Sequence, residues 1–473
     1  MRIAHIASEV VPFSKTGGLA DVAGALPPAL AALGHEVTVV VPGHRTTLKD
    51  AVPGEPRGEV AALGLTARMN VLLHRNVRVV LLDCPVLYVR PALYALPDGD
   101  FPDNAVRFAF FAHASLAALG KLGGVDVVHA HDWQAALAPF LLRYNGAARF
   151  AMPAVKTVFT VHNLAYQGVF PPWAVEACGI PPGLFRMDLL EFYGNANFLK
   201  AGLVSADAVT TVSPTYAKEI VTEEFGCGLE GVLATRRDAL SGILNGLDTD
   251  DWDPRRDPHL ETPYGDGDDV VEGKASARQL LGREARLAPG HRPLIGMVSR
   301  LAEQKGADLL SAALDDVVAR GFDVVVLGAG ERRYEEAIRA AEAAHPGRVA
   351  AFIRFDERLA HRIYAASDLF LMPSRYEPCG LGQMIAMRYG TLPVVNPTGG
   401  LADTVTDVSR KGGTGFVLPE LTPGALGATL ERAAAVLSDP ERLAAVRATG
   451  MGRDFSWKAS AREYVGLYER LVG

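Results

Sequence analysis

Short apolar runs ending in Gly, His or Ser alternate along the chain with Ala- and Leu-rich stretches of helical period. That alternation predicts repeated βα units and a parallel sheet. The pattern occurs twice. The first set predicts strands at Ile3–Ala7, Val37–Val41, Val77–Leu82, Val125–His129, Lys156–Val161 and Ala208–Val212, with helices such as Gly24–Leu33, Val106–Leu119 and Gln134–Arg143 between them. The second predicts strands at Leu294–Val298, Val324–Leu327, Val349–Ile353, Leu369–Met372 and Leu392–Val395. Between the sets, a stretch rich in Asp, Gly and Pro runs from Asn245 through Asp251-Trp252-Asp253-Pro254 to Asp269 and reads as hinge and connector. The expected domains are therefore 1–242 and 253–455, with the hinge at 243–252.

Two hexapeptides are identical, Thr16-Gly17-Gly18-Leu19-Ala20-Asp21 and Thr398-Gly399-Gly400-Leu401-Ala402-Asp403. Each is expected to follow a strand and open a helix. Close backbone approach at such turns needs glycine and would by itself explain the repeat. The other reading is that both halves aim a helix N-terminus at one cleft, because ligands of open parallel sheets bind beyond the carboxyl ends of the strands. It predicts two Rossmann-like domains that close on substrate.

Composition narrows the function. The chain has 473 residues, 49% hydrophobic, with a net charge of −7. That charge argues against nucleic acid, whose phosphates demand a dense Lys/Arg face. No run of about 18 apolar residues suggests a membrane span, and Met1–Val10 lacks the pattern of a secretory leader. A cytoplasmic protein is expected. The cysteines Cys84, Cys178, Cys227 and Cys379 form no CxxC pair, and the first three are expected to be buried thiols. A dehydrogenase would need G-x-G-x-x-G after a strand, and the best candidate, Gly328-Ala329-Gly330-Glu331-Arg332-Arg333, lacks the third glycine. Walker A is absent too.

Four stretches carry candidate chemistry. Lys15-Thr16-Gly17-Gly18 sets a cation beside backbone N–H groups at a helix start and fits a diphosphate, although a surface lysine at a Gly-rich turn has the same pattern. Arg300 and Lys305 follow strand Leu294–Val298, where they fit a leaving nucleoside diphosphate or, equally, a solvated ion pair with Glu303. In Tyr376-Glu377-Pro378-Cys379-Gly380-Leu381-Gly382, Glu377 precedes a helix start and reads as a sugar-hydroxyl ligand or as a cap acid, with Cys379 lining the pocket. His162, in Thr160-Val161-His162-Asn163-Leu164, ends a strand and reads as a sugar-hydroxyl partner or a structural histidine. His129-Ala130-His131-Asp132 has the look of a metal motif, but sequence names no third ligand, and no metal is expected.

Together these segments resemble one family over nearly the whole chain, the bacterial glycogen synthases and plant starch synthases, which are retaining GT-B glycosyltransferases. The resemblance runs through Lys15–Val22, Phe101-Pro102-Asp103-Asn104, His129–Gln134, Thr160–Gly168, Phe198-Leu199-Lys200-Ala201-Gly202, Thr211–Ala217, Ile243–Asp248, Ser299–Gly306, Tyr376–Leu381 and Tyr389-Gly390-Thr391-Leu392-Pro393. It implies an α/β fold of two Rossmann-like domains facing across a deep cleft, with the acceptor on the first and the nucleotide sugar on the second. A last helix at about 456–473 is expected to pack back on the first domain. The implied reaction moves glucose from ADP-glucose to the non-reducing end of an α-1,4-glucan, without metal or cofactor.

By the same resemblance Arg300 and Lys305 hold the distal phosphate, Lys15 and Gly18 lie by the diphosphate, and Glu377, Cys379 and Gly380 hold the glucose with His162, Asn163 and Asn245. Gly17, Asp21 and Leu381 count as substrate-binding too. Phe355 stands where the family has a tyrosine beside adenine, and Arg354 replaces a usual glycine. Retention normally calls for a carboxylate nucleophile, yet no pair of acids stands out, so front-face attack is expected, with the departing phosphate taking the acceptor's proton. The alternatives are a UDP-glucose enzyme of the same fold, a catalytically silent glucan binder, against which Arg300, Lys305 and Glu377 together argue, and a phosphorylase, whose pyridoxal-phosphate lysine has no match here.

Overall fold

Strands β1 (Arg2–Ile6) and β2 (Glu36–Pro42) are buried at every position after the first, and apart from His5 and Thr38 those positions carry small or branched apolar residues or proline. A computed structural model describes residues 1–48, 53–96, 98–265, 267 and 269–473, so Asp266 and Asp268 of the expected connector lie outside the described residues. The chain divides into two units, Met1–Gly246 with Trp457–Gly473, and Leu247–Ser456.

The first unit adds β3 (Glu55–Ala62), β4 (Leu65–His74), β5 (Val77–Asp83), β6 (Val127–His131), β7 (Lys156–Val161), β8 (Ala208–Thr211) and β9 (Leu240–Gly242). Their order in one nine-stranded sheet is β9-β8-β7-β6-β1-β2-β5-β4-β3. Seven strands are parallel, whereas β3 and β4 run antiparallel and correct the expectation of a purely parallel sheet. These two turn back through two-residue corners, Leu63-Gly64 and Arg75-Asn76, all four residues having positive φ. The exposed, charged β3 carries a bulge between Pro56 and Glu59, features that blunt a sheet edge.

Helix α1 (Gly18–Ala32) and the last helix, here α8 (Trp457–Val472), share the core of this unit. Trp457, Ala461, Tyr464, Leu467 and Tyr468 recur at three- and four-residue steps and bury one stripe. The Tyr468 hydroxyl is hydrogen-bonded to His129 Nδ1 on β6 at 2.7 Å. Helix α2 (Asn104–Lys121) starts earlier than its apolar pattern suggested.

The second unit holds β10 (Leu294–Val298), β11 (Asp323–Leu327), β12 (Val349–Phe352), β13 (Leu369–Met372), β14 (Leu392–Val395) and β15 (Phe416–Val417), all parallel, in the order β12-β11-β10-β13-β14-β15. Alternate residues feed two cores. Ile295, Met297, Val324 and Val326 meet α4 (Ala307–Ala319) on one face, while Leu294, Val325 and Phe370 meet α3 (Asp269–Glu284) and α5 (Glu357–Ala366) on the other. Gly296 lets α5 come close, since a Cβ there would lie 2.4 Å from Ser367 Oγ.

Strand order decides where chemistry can sit. In the second unit the chain moves outward from β10 to β12, then returns to β13 on the other side of β10, so the loops after β10 and β13 diverge and leave a crevice. In the first unit the same reversal separates β1 from β6. Every strong candidate from the sequence lies on loops at or beside these two places.

If α8 completes the first core, removing residues 457–473 should lower its melting temperature sharply, and Tyr468→Phe, which deletes one buried hydrogen bond, should cost about 1–2 kcal/mol. A truncated chain that melts like the intact one would show the helix to be dispensable.

Candidate functional site

In the second unit, the loops after β10 and β13 enclose a cavity of about 150 Å³ lined by Ser299, Lys305, Tyr364, Ser374, Glu377, Gly380 and Leu381, among others. Lys305 Nζ lies 2.5 Å from Glu377 Oε2, and the Ser374 hydroxyl donates to the same oxygen at 3.0 Å. Both members of the pair are largely withdrawn from solvent, so each charge depends on the other. Arg300 is exposed and donates to Gln304 Oε1 at 3.0 Å, while Glu303 pairs with Arg333 instead. The surface ion pair with Glu303 is thus replaced by a cation left facing solvent.

Helix α6 (Gly382–Arg388) follows the Glu377 loop. Buried Gln383 holds that loop from behind, its Nε2 donating to the carbonyls of Cys379 and Gly380 and to Thr404 Oγ1. Cys379 is buried beside the cavity. Phe355 stands apart on the loop after β12, 84% exposed, next to an Arg354–Asp356 ion pair at 2.9 Å. An aromatic face so uncovered is open to stacking by a ligand.

In the first unit the loop after β1 carries Glu9, whose carboxylate accepts from the Thr16 backbone N–H and, at 2.9 Å, from the Thr16 hydroxyl. Tyr94 donates to Glu9 Oε1 at 3.2 Å. Glu9 therefore clamps the start of the Gly17-Gly18 turn. Burial pushes its carboxyl up, and the N–H and O–H donors pull it back. Lys15 pairs with Asp21 at 2.8 Å, with both side chains at least one-third exposed, a contact of small net worth that a bound anion can displace.

The two identical hexapeptides have different reasons for their glycines. A Cβ at Gly399 would lie 2.0 Å from the Glu377 carbonyl oxygen, and one at Gly400 would lie 1.9 Å from that of Cys379, so helix α7 (Gly399–Thr404) needs both glycines to dock on the Glu377 loop. A Cβ at Gly17 or Gly18 would meet no atom within 4 Å. Gly17 is extended, with φ −156°, and could be any residue. Nothing in the fold asks for glycine there, which leaves open backbone for a ligand.

Around β6 and β7 the sequence reading missed the most. Asp132, at φ +53°, turns its carboxylate back to accept the His162 backbone N–H at 2.7 Å. Burial raises this carboxyl, opposed by the N–H groups of His162 and Asn163. Asn163 Oδ1 accepts from Ala165 N at 3.0 Å, and Asn245 is buried with its Oδ1 unpartnered among the described residues. The third member beside the H-x-H pair is His5 on β1, so that His5, His129 and His131 offer nitrogens within 4.8 Å of one another. Yet five of their six ring nitrogens already have partners, namely each other, His162, Thr160 and Tyr468. The chemistry of this set is that of a hydrogen-bonded chain rather than a coordination shell. The strand itself is Val127–His131, two residues later than expected. Cys227, expected to be buried, is exposed at a positive-φ corner before Gly228.

Comparison with known proteins gives one consistent result. Residues 2–235 match the model of the starch synthase catalytic domain, and 282–450 that of glycosyl transferases group 1. The glycogen synthase of Anaeromyxobacter dehalogenans strain 2CP-C is 49% identical over the full length of both chains, and that of Syntrophotalea carbinolica is 44% identical over 100% of this chain and 99% of the relative. The catalytic domain of starch synthase IV from Arabidopsis thaliana, solved with ADP and acarbose, superposes with a TM-score of 0.90 at 32% identity over 99% of each chain. Sucrose-phosphate synthase from Thermosynechococcus elongatus shares the fold, with a TM-score of 0.62 at 20% identity over 99% of this chain and 98% of its own.

The glycine contrast makes a prediction. Gly399→Ala and Gly400→Ala should destabilise the protein by at least about 1–3 kcal/mol, whereas Gly17→Ala and Gly18→Ala should melt like the parent. Equal melting of all four variants would refute it.

The buried histidines set an acid limit. Burial holds His5, His44 and His162 down at about 3, below an unfolded value near 6.5. The unfolded chain therefore binds more protons between those values, and stability should be flat in this respect above about pH 6.5 and fall as pH drops below it. Melting temperatures measured down that series check the sign.

Proposed function

Because this chain belongs to the glycogen and starch synthase family of GT-B glycosyltransferases and is a glucosyltransferase of glycogen or starch synthesis, we propose that its donor is ADP-glucose and its acceptor the non-reducing end of an α-1,4-glucan. The observation that carries this is the Arg300, Lys305 and Glu377 constellation at the carboxyl ends of β10 and β13. The choice of ADP draws support from the ADP bound to the starch synthase IV domain. The division into an acceptor side at 1–242 and a donor side at 253–455, hinged at 243–252, belongs to the same proposal. So does a cytoplasmic location.

In this reading Glu377 accepts hydrogen bonds from glucose hydroxyls, with the amides of Cys379, Gly380 and Leu381 beside it. Phe355 stacks on adenine, and Lys15 with the bare Gly17-Gly18 backbone meets the diphosphate. Arg300 and Lys305 face the distal phosphate. As the bond from the anomeric carbon to the phosphate oxygen breaks, negative charge grows on that oxygen, and two fixed cations stabilise it more than they stabilise the bound donor. The acceptor hydroxyl attacks from the same face, and its proton passes to the departing phosphate oxygen. Configuration is retained, with no carboxylate nucleophile and no metal. His162 and Asn163 hold the sugar while Asp132 fixes their backbone.

Nucleotide release from ADP-glucose and from UDP-glucose, with and without glycogen and in EDTA, tests the proposal. ADP release that needs glycogen, survives EDTA and far exceeds UDP release is expected. Release from UDP-glucose alone overturns the donor, and release from neither overturns the activity. Arg300→Ala should lower kcat by about 100-fold with unchanged melting, since its guanidinium is exposed; a rise in KM alone would remove its leaving-group role. Lys305→Ala should lower kcat similarly and also cost about 3–5 kcal/mol of stability, because Glu377 stays buried without its partner.

A further inference from the structure

His162 Nε2 lies 3.0 Å from His131 Nδ1, and His131 Nε2 lies 2.9 Å from His5 Nδ1. Three imidazoles thus form a chain from β1 through β6 to the end of β7. His5 and His131 are fully buried, and His5 Nε2 at the far end has no hydrogen-bond partner among the described residues. At the near end His162 is half-buried, and its Nδ1 makes no hydrogen bond among the described residues. His129 stacks on His131 with ring centroids 4.2 Å apart and is itself pinned by Tyr468 and Thr160, so the middle ring has little freedom to turn. Among the described residues, the titratable groups that interact with His162 include His129, His131 and Asp132, which accepts its backbone N–H.

Each ring-to-ring contact holds one proton, so the chain has two polarities and every ring follows its neighbour. In one, each ring donates from Nδ1 toward His162, and His5 Nε2 is a bare lone pair. In the other, each ring donates from Nε2 toward His5, and His5 is left with a buried N–H that has no acceptor. Buried N–H groups are rarely left without acceptors, which favours the first. Burial keeps the rings uncharged, with His5 and His162 at about 3 and His131 well below its ordinary value.

We propose that His131 and His5 are positioning residues that hold His162 as a neutral imidazole with its N–H on Nδ1, making it a fixed hydrogen-bond donor to the sugar rather than a general base. The inference rests on the proposed role of His162 at the sugar. It assigns a function to His131 of the H-x-H motif that neither metal binding nor direct substrate contact supplies.

The test uses the full-length enzyme labelled with ¹⁵N-histidine. Long-range ¹H–¹⁵N correlation reads which ring nitrogen carries the proton, with the His162 signals assigned by their loss in His162→Ala, and glycogen-dependent ADP release is followed over about pH 6 to 8. His162 should show the Nδ1–H form. His131→Phe, which keeps a ring but removes both contacts, should mix the tautomers and lower kcat by about 10- to 100-fold, with KM for ADP-glucose within about threefold. His131→Gln, able to accept on one side and donate on the other, should recover most of kcat. Should His131→Phe fail to fold, His5→Phe, which frees the chain from its far end, carries the same expectation. An Nε2–H form in the parent, or parent-like kcat and tautomer in the Phe variants, overturns the inference. If His162→Ala is inactive in that case, only the inference falls; if His162→Ala keeps full kcat, the role of His162 in the proposed reaction falls with it.

Discussion

Parallel strands can be joined only by crossovers, and crossovers cover the faces of the sheet they join. That constraint governs the rest of this molecule. With helices on both faces, as the two cores of the second unit show, a polar group placed along a strand would be sealed in apolar surroundings. Only the carboxyl ends of the strands remain, and the reversal of strand order beside β10 opens a crevice there. Arg300, Lys305 and Glu377 lie at that end, where the topology leaves room for charge.

Charge at such a site must be held without being spent. Lys305 and Glu377 pair with each other while withdrawn from water, and Arg300 stays in solvent. In the first unit the solution differs. Its strand ends carry imidazoles that burial keeps neutral, so hydrogen-bond direction rather than charge is the property the fold controls. In the proposed reaction the one meets a departing anion and the other uncharged hydroxyls.

Much of this was legible in the residues. The buried strands Lys156–Val161, Leu294–Val298, Leu369–Met372 and Leu392–Val395 have the bounds expected from their apolar runs, since a strand buried on both faces has no competing pattern. The β3–β4 extension was not, because Leu63-Gly64 and Arg75-Asn76 lack the usual hairpin dipeptides and β3 is exposed and charged rather than cleanly alternating. Asp132 ends the His129–Asp132 motif, but its role depends on a left-handed backbone that a non-glycine sequence does not announce. His5 was invisible for another reason: it joins His131 across 126 residues, a separation that only strand order brings together. The glycine repeats show the converse, one local pattern serving two purposes that depend on what lies opposite.

The placement of α8 also bears on synthesis. Its Tyr468 bonds a strand that begins at residue 127, and its aromatic stripe fills a core that starts at Ile3. A ribosome delivers these residues only after all of 247–456. All of 247–456 is therefore made before the earlier unit has every residue of its core. Until α8 emerges, the nascent chain lacks the side chains that share this core with α1.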